Sequence, residues 1–386
     1  MSLRALARIN LRAIERNVAR LRRELGGAAE LCAVVKADGY GHGAASAARA
    51  ALAGGASWLA VATAHEAEAL RRAGISARLL VMGAITSEEL PYALNSGADI
   101  VAWDDRFVAG VAATARAQQR QVRMHVKLDT GMGRLGTRDL GQALGVADRV
   151  AREGPALELA GAMTHFATAD DDLAFLDRQL EHFAPFIESL RDRHPGITVH
   201  AANSAAALRS PAAHFDLVRC GIATYGCDPL HEDPEPRGLE PALELTSYVA
   251  AVKPARPGDS VGYGRRFVAR EDTWIATVPI GYGDGVRRAF SDNCELLVGG
   301  RRYPLVGTVS MDNVTVDLGR GAGVAPGDRV TLIGTDGGER QTAEQLARRI
   351  RTINYEIVCG ISSRVPRVYH RDGETVTDAA RDEGEP

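Results

Sequence analysis

Residues 31 to 43 read LCAVVKADGYGHG, an apolar run ending in a lysine that leads into a turn with three glycines. Only three of the 46 basic residues are lysine, namely Lys36, Lys127 and Lys253. Arginine cannot lose its proton to attack a carbonyl and form a Schiff base. In a chain so biased toward arginine, a lysine marks a position where arginine fails, and Lys36 is the first candidate for a catalytic amine. A lysine after a buried strand is more commonly a solvated strand end. Here the glycines allow close backbone approach to a ligand and bring Tyr40 and His42 nearby.

Other polar side chains with chemical potential stand in the same kind of place. Lys127, Asp129, His165, Asn203, Ser204 and Arg219 all fall at or just past apolar runs. The runs are LCAVVK, WLAVAT, RLLVMG, ADIVAW, RMHVKLDT, LAGAMTHF, TVHAANS and VRCGIATYG. Between them lie helical stretches such as HEAEALRRAG and DDLAFLDRQLEHFAPFIESLRDR, apolar at three- and four-residue spacing. Eight near-continuous apolar strands alternating with helices predict an α/β fold, a (β/α)8 TIM-type barrel over residues 8–232. An open doubly wound sheet is the alternative. In a barrel the C-terminal strand ends converge on one face, so these polar residues would meet there.

HEDPEPRGLEP, rich in proline and charge, reads as a linker. After it, LTSYVAAV, TWIATVPI, ELLVGGRRYPLVG, NVTVDL and DRVTLIG alternate apolar and polar between Gly, Pro and Asp, which predicts a mainly β domain over 237–370, joined by the first few N-terminal residues. The acidic stretch 371–386 reads as a disordered tail. A net charge of −3 offers no basic field for nucleic acid. Five scattered cysteines lack metal-ligand spacing and read as reduced thiols of a cytoplasmic protein. No stretch approaches the roughly 18 apolar residues of a membrane span. The arginine-rich start has the leucine spacing of an ordinary helix rather than the apolar centre of a signal peptide.

AVVKADGYGHGA resembles the cofactor-binding signature of the alanine racemases, pyridoxal-phosphate enzymes built from a barrel and a β domain. HVKLDTGMGRLG, GAMTHFATAD, NSAA, VRCGIATYG, VGYGRRF, GYGDGV, VGTVSMDN and INYEIVCGISSRVPR match further segments of that family, in order. The resemblance implies a cytoplasmic homodimer that interconverts L- and D-alanine for peptidoglycan. Lys36 then carries pyridoxal 5'-phosphate as a Schiff base and acts as one of two bases. Tyr263, from the partner subunit, is the other, since a racemase needs a base on each face of a planar carbanion. A lone tyrosine between glycines would otherwise read as a turn residue.

By the same resemblance Arg134 steadies Tyr263 and the substrate carboxylate, and Lys127 is a candidate for carbamylation that would orient Arg134. An unmodified Lys127 paired with Asp129 is the alternative, and the sequence leaves both open. Arg219 meets the pyridine nitrogen and keeps it unprotonated, which favours racemisation over transamination, and His165 orients Arg219. Tyr40, Ser204, Tyr355 and the N–H groups of Gly221 and Ile222 hold the phosphate, with Asn203 beside them; Asn203 and Ser204 equally read as a helix cap. Met311 and Asp312 meet the substrate carboxylate, and Tyr282 narrows the mouth of the pocket. Gly262, Gly283 and Gly360 stand where the family more often has larger residues, and loosening of the pocket there leaves a broad-specificity or serine racemase as the alternative. A non-enzymatic pyridoxal-phosphate carrier fits less well, because such single-barrel proteins lack the β domain.

Overall fold

The computed structural model describes residues 3–27, 29–321 and 323–376, which fall into two compact units. Among the described residues, one comprises 14–39 and 44–224, the other 3–13, 40–43 and 225–376.

The first unit contains eight parallel strands, β2 (Glu30–Val34), β3 (Trp58–Val61), β4 (Arg78–Val81), β5 (Asp99–Ala102), β6 (Val122–Lys127), β7 (Leu157–Met163), β8 (Thr198–His200) and β9 (Leu217–Cys220), each overlapping one of the apolar runs named above, with β2, β6, β7 and β9 beginning one or two residues earlier. They pair in the order β8-β7-β6-β5-β4-β3-β2-β9. Asp216 and Arg219 donate backbone N–H bonds to the carbonyl oxygens of Val199 and Ala202, 3.0 Å each, across the remaining gap between β8 and β9. The sheet therefore curls into a nearly closed barrel. WLAV, DIVA and LVRC are buried at every position, as strands must be when helices cover one face and barrel core fills the other. Several helices begin on side-chain caps: Thr63 and Glu66 form a reciprocal capping box, and Asp104, Asp139 and Asp172 cap later helices.

In the second unit, β1 (Leu6–Asn10) lies between β10 (Leu243–Tyr248), antiparallel, and β20 (Arg367–Arg371), parallel. The same sheet continues through β18 (Arg329–Asp336), β15 (Cys294–Val298), β16 (Arg301–Leu305), β17 (Val314–Gly319), β14 (Thr273–Val278) and β11 (Ala251–Ala255). β15 and β16 form a hairpin over Gly299 and Gly300, both at positive φ, the conformation a two-residue turn demands. The arginine-rich start is the strand β1 followed by a helix, Leu11–Glu24, whose Leu11, Ile14, Val18 and Leu21 are buried at helical spacing.

HEDPEPRGLEP is fastened down rather than loose. Arg340 bonds to both Asp233 and Glu235 at 2.8 Å, and Leu239 is buried. Of the tail expected from residue 371, Glu374 and Thr375 pair back onto β20, and residues 377–386 lie outside the described residues. Among the described residues no helix is long and apolar enough to cross a membrane, and no His, Cys, Asp and Glu group could hold a metal ion. All five cysteines are free thiols.

Candidate active site

Val35 makes the last ladder bond of the strand that carries Lys36, donating to Ala60 C=O at 2.8 Å. The backbone then turns left-handed: Ala37, Asp38, Gly39 and Tyr40 have φ of 52, 52, 60 and 53°. For residues with a Cβ this costs roughly 1–2 kcal/mol each, so the turn needs outside support. Glu66 supplies it, one oxygen accepting from Ala37 N–H at 2.7 Å and the other from Ala62 and Thr63 N–H. Asp38 accepts from Ala44 N–H at 2.9 Å and closes the turn onto the next helix.

Arg219, on β9, is almost fully buried. Burial pulls its guanidinium down to about 10. It donates through Nη2 to Thr164 C=O, Ala201 C=O and His165 Nδ1 at 3.0, 2.9 and 3.1 Å, and through Nη1 to His200 Nδ1 at 2.7 Å. His165 thus touches Arg219, but His200, which the sequence reading did not single out, makes the shorter bond. Burial, together with the charges of Arg219, Lys127, Arg134 and Lys36, holds His165 far below its ordinary pKa, so it is neutral. Gln179, also unforeseen, steadies the segment by donating to His165 C=O and to Thr130.

Lys127 closes β6 and is only 4% exposed. Burial first, then the charges of Arg219 and Arg134, lower its amine to about 8, against the opposing pull of Asp129. The ion pair with Asp129, one of the two readings of Lys127, is not formed among the described residues. Both Asp129 oxygens face its own loop instead, accepting from Gly131 and Gly133 N–H and from Arg138. Arg134 lies exposed on that loop.

Asn203 caps the helix Ser204–Arg209 by accepting from Ala206 N–H at 3.0 Å. Ser204 Oγ accepts from Gly221 N–H at 2.9 Å and from Ala223 N–H at 3.4 Å, so this hydroxyl and the backbone around Ile222 form one local assembly. Cys32 and Cys220 lie in the ladder beside Arg219; burial raises both thiols, Cys220 to about 12. They are inert neighbours rather than nucleophiles.

In the other unit, Tyr40 packs on Tyr225 and Tyr355 with ring centroids 5.1 and 6.0 Å apart. Tyr263, Met311 and Tyr282 are 74, 52 and 45% exposed, large side chains turned to solvent in a single chain. Their loops are tied together. Buried Asp284 receives Arg364 at 2.7 Å and also Arg4, and Arg364 reaches Asp312 at 2.8 Å, while Gly283 N–H bonds Met311 C=O at 2.9 Å.

The surroundings of the three glycines bear on what a larger residue would meet there. A Cβ on Gly283 would sit 2.6 Å from Arg364, and one on Gly360 would sit 2.2 Å from Arg287. The room is already filled by arginine side chains. Gly262 has φ +74°, where a side chain is strained whatever the space.

A barrel whose C-terminal strand ends carry a buried lysine, a buried arginine and histidines, in a chain that also holds a mainly β domain, defines the class: an enzyme built on a (β/α)8 barrel. Residues 9–229 match the family model of the alanine racemase N-terminal domain, and residues 242–369 that of the C-terminal domain. The chain is 44% identical to the alanine racemase of Thermobifida fusca (strain YX), covering 96% of this chain and 99% of that one. It is 40% identical to alanine racemase 1 of Bacillus subtilis (strain 168), covering 95 and 93%. Among solved structures, alanine racemase from Bacillus anthracis with bound L-Ala-P superposes with a TM-score of 0.90 at 37% identity, over 97% of both chains. That of the D-cycloserine producer Streptomyces lavendulae gives the same score and identity over 96 and 98%. The chain belongs to the alanine racemase family, whose members are pyridoxal-phosphate-dependent isomerases.

Proposed function

We propose that the protein interconverts L- and D-alanine with pyridoxal 5'-phosphate, in a cytoplasmic homodimer whose two active sites are shared between subunits, and that its D-alanine goes to peptidoglycan. The observation that carries this is the buried Arg219 guanidinium, bonded to His165 and His200 at the strand ends, with buried Lys127 closing β6. That donor set fits the group, because a phosphorylated cofactor and an amino-acid carboxylate both bring negative charge.

Lys36 would hold the cofactor through Nζ. Tyr40, Ser204, Tyr355 and the N–H groups of Gly221 and Ile222 would hold its phosphate, with Asn203 fixing the helix start beside Ser204 and Arg219 on its ring nitrogen, braced by His165. When bound, the group supplies an electron sink for negative charge at the substrate α-carbon. Arg219 donates and cannot accept, so the ring nitrogen gains no proton and side reactions that need a stronger sink are held back.

Lys36 Nζ takes the α-proton from one face, and Tyr263 of the partner subunit returns a proton to the other; the roles reverse with the direction of turnover. A phenol of ordinary pKa near 10 needs a cation to release its proton, and Arg134 is that cation. The Lys127 amine, lowered to about 8, is partly neutral at physiological pH. Its nitrogen can add carbon dioxide, lose one proton and become an anionic carbamate facing Arg134. Met311 and Asp312 present backbone N–H groups to the substrate carboxylate, and Tyr282 with Tyr355 narrows the mouth.

The test is incubation of cofactor-loaded protein with L-alanine and, in parallel, L-serine, with chiral chromatography of the products. Fast D-alanine and slow D-serine are expected. Comparable rates would make it a broad-specificity racemase, and no D-product from loaded protein would refute the proposal.

A further inference from the structure

A (β/α)8 barrel is normally filled by layers of branched apolar side chains. This barrel instead carries a continuous polar line through its interior. His200, which receives Arg219 Nη1, has its other nitrogen 2.8 Å from His125 Nδ1. His125 Nε2 lies 3.1 Å from Asp99 Oδ2. Asp99, His125 and His200 are fully buried. Asp99 opens β5, His125 lies within β6, His200 ends β8, and Arg219 sits in β9. The line runs from the N-terminal mouth of the barrel to its catalytic end.

Space is reserved for it. Gly161 on β7 is the ladder partner of His125, and a Cβ there would fall 1.9 Å from His125 Nδ1. At the far end Asp99 receives Arg123 Nε at 2.8 Å and Arg78 Nη2 at 3.2 Å, and Arg78 lies 3.7 Å over the Trp58 ring. Hydrogen bonds from His125 and Arg123 outweigh burial and keep Asp99 ionised.

The two ends settle the middle. Arginine only donates and a carboxylate only accepts. Between them each imidazole must accept at Nδ1 and donate at Nε2, so both are neutral Nε2–H tautomers. Protonating His200 would aim its N–H at the Arg219 N–H. We propose that Asp99 and His125 are positioning residues that set the direction of hydrogen bonding along His200 and thereby hold Arg219 as a donor toward the cofactor ring. This rests on the role of Arg219 proposed above. Burial, then Asp99 and the charges of Arg78 and Arg123, act on His125, and burial with Arg219, His125 and Lys127 act on His200; both are lowered, in keeping with neutrality.

The test is long-range proton–nitrogen NMR on 15N-histidine-labelled holoenzyme, with signals assigned from His125→Asn and His200→Asn. Wild type is expected to show both rings as neutral Nε2–H tautomers from about pH 6 to about pH 9, across the ordinary histidine pKa. Asp99→Leu and Gly161→Ala should shift His200 toward the Nδ1–H tautomer and change the cofactor's visible absorbance. They should also raise the share of turnovers lost to transamination about tenfold, the scale of removing a partner behind an active-site group. Asp99→Asn, which keeps an acceptor, should retain the wild-type pattern. A protonated or Nδ1–H His200 in wild type, or unchanged His200 signals in a folded Asp99→Leu, would overturn the inference. The tautomers are read without racemisation, so failure here is separable from failure of the proposed activity.

Discussion

The charge around Lys127 makes its state depend on pH in a defined direction. Its pKa is lowered to about 8 by burial and by Arg219 and Arg134. Below that pH both folded and unfolded chains hold the proton, and the fold carries the full penalty. Between about 8 and the ordinary value near 10.4 the unfolded chain binds more protons, so stability rises with pH through that window. In carbon dioxide-free buffer, Lys127→Met should therefore be more stable than wild type by about 3 kcal/mol at neutral pH, and the gap should close toward pH 10 in thermal unfolding. A gap independent of pH would show that the amine is not desolvated. Tyr263→Phe should lower kcat/KM for racemisation by about 10²–10⁴-fold, with a solvent-isotope asymmetry between the two directions that wild type lacks. Lys36 stood out in the sequence because it ends an apolar run and carries chemistry a core does not need, whereas Arg219, inside its run, stood out through the family resemblance. His125 and His200 did not, since a histidine inside such a run looks the same whether it fills space or passes a hydrogen bond along. Asp99 looked like a strand start, and only the fold places two arginines and a histidine on it.

At the level of elements, the Lys36 turn depends on a neighbour that no local signal reveals. The glycines at 39, 41 and 43 announced a turn, but Ala37 and Asp38 also adopt positive φ, and Glu66 from another helix stabilises them. Glu66→Ala should leave the Ala37, Ala62 and Thr63 N–H groups without their acceptor, destabilise the protein by about 1–3 kcal/mol and weaken cofactor retention, measured as loss of absorbance on dialysis. Unchanged retention would show that the turn stands without this brace. The eight barrel strands were legible because strands covered on both faces read as unbroken apolar runs; ELLVGGRRYPLVG read as a single alternating run, and the fold divides it into two strands at Gly299 and Gly300. The 231–241 stretch misled: its prolines and charges suit a linker, yet those charges are what Arg340 holds.

Across the whole molecule, a single chain leaves Tyr263, Met311 and Tyr282 turned to solvent. Large side chains left exposed in this way suit a surface that a second copy covers. On this account dilution should reduce specific activity as dimers dissociate, restored by concentration. Subunit mixing is sharper. Lys36→Ala and Tyr263→Phe should each be nearly inactive alone. If the site joins Lys36 of one chain to Tyr263 of the partner subunit, each mixed dimer contains one site with both bases intact and one with neither. Equal mixing after dissociation and reassembly should then recover about one quarter of wild-type racemisation per chain, as random two-fold pairing requires. Recovery at that level is the predicted result. No recovery from reassembled, cofactor-loaded mixtures would place both bases in one chain, or assign one of them wrongly, and would contradict the account.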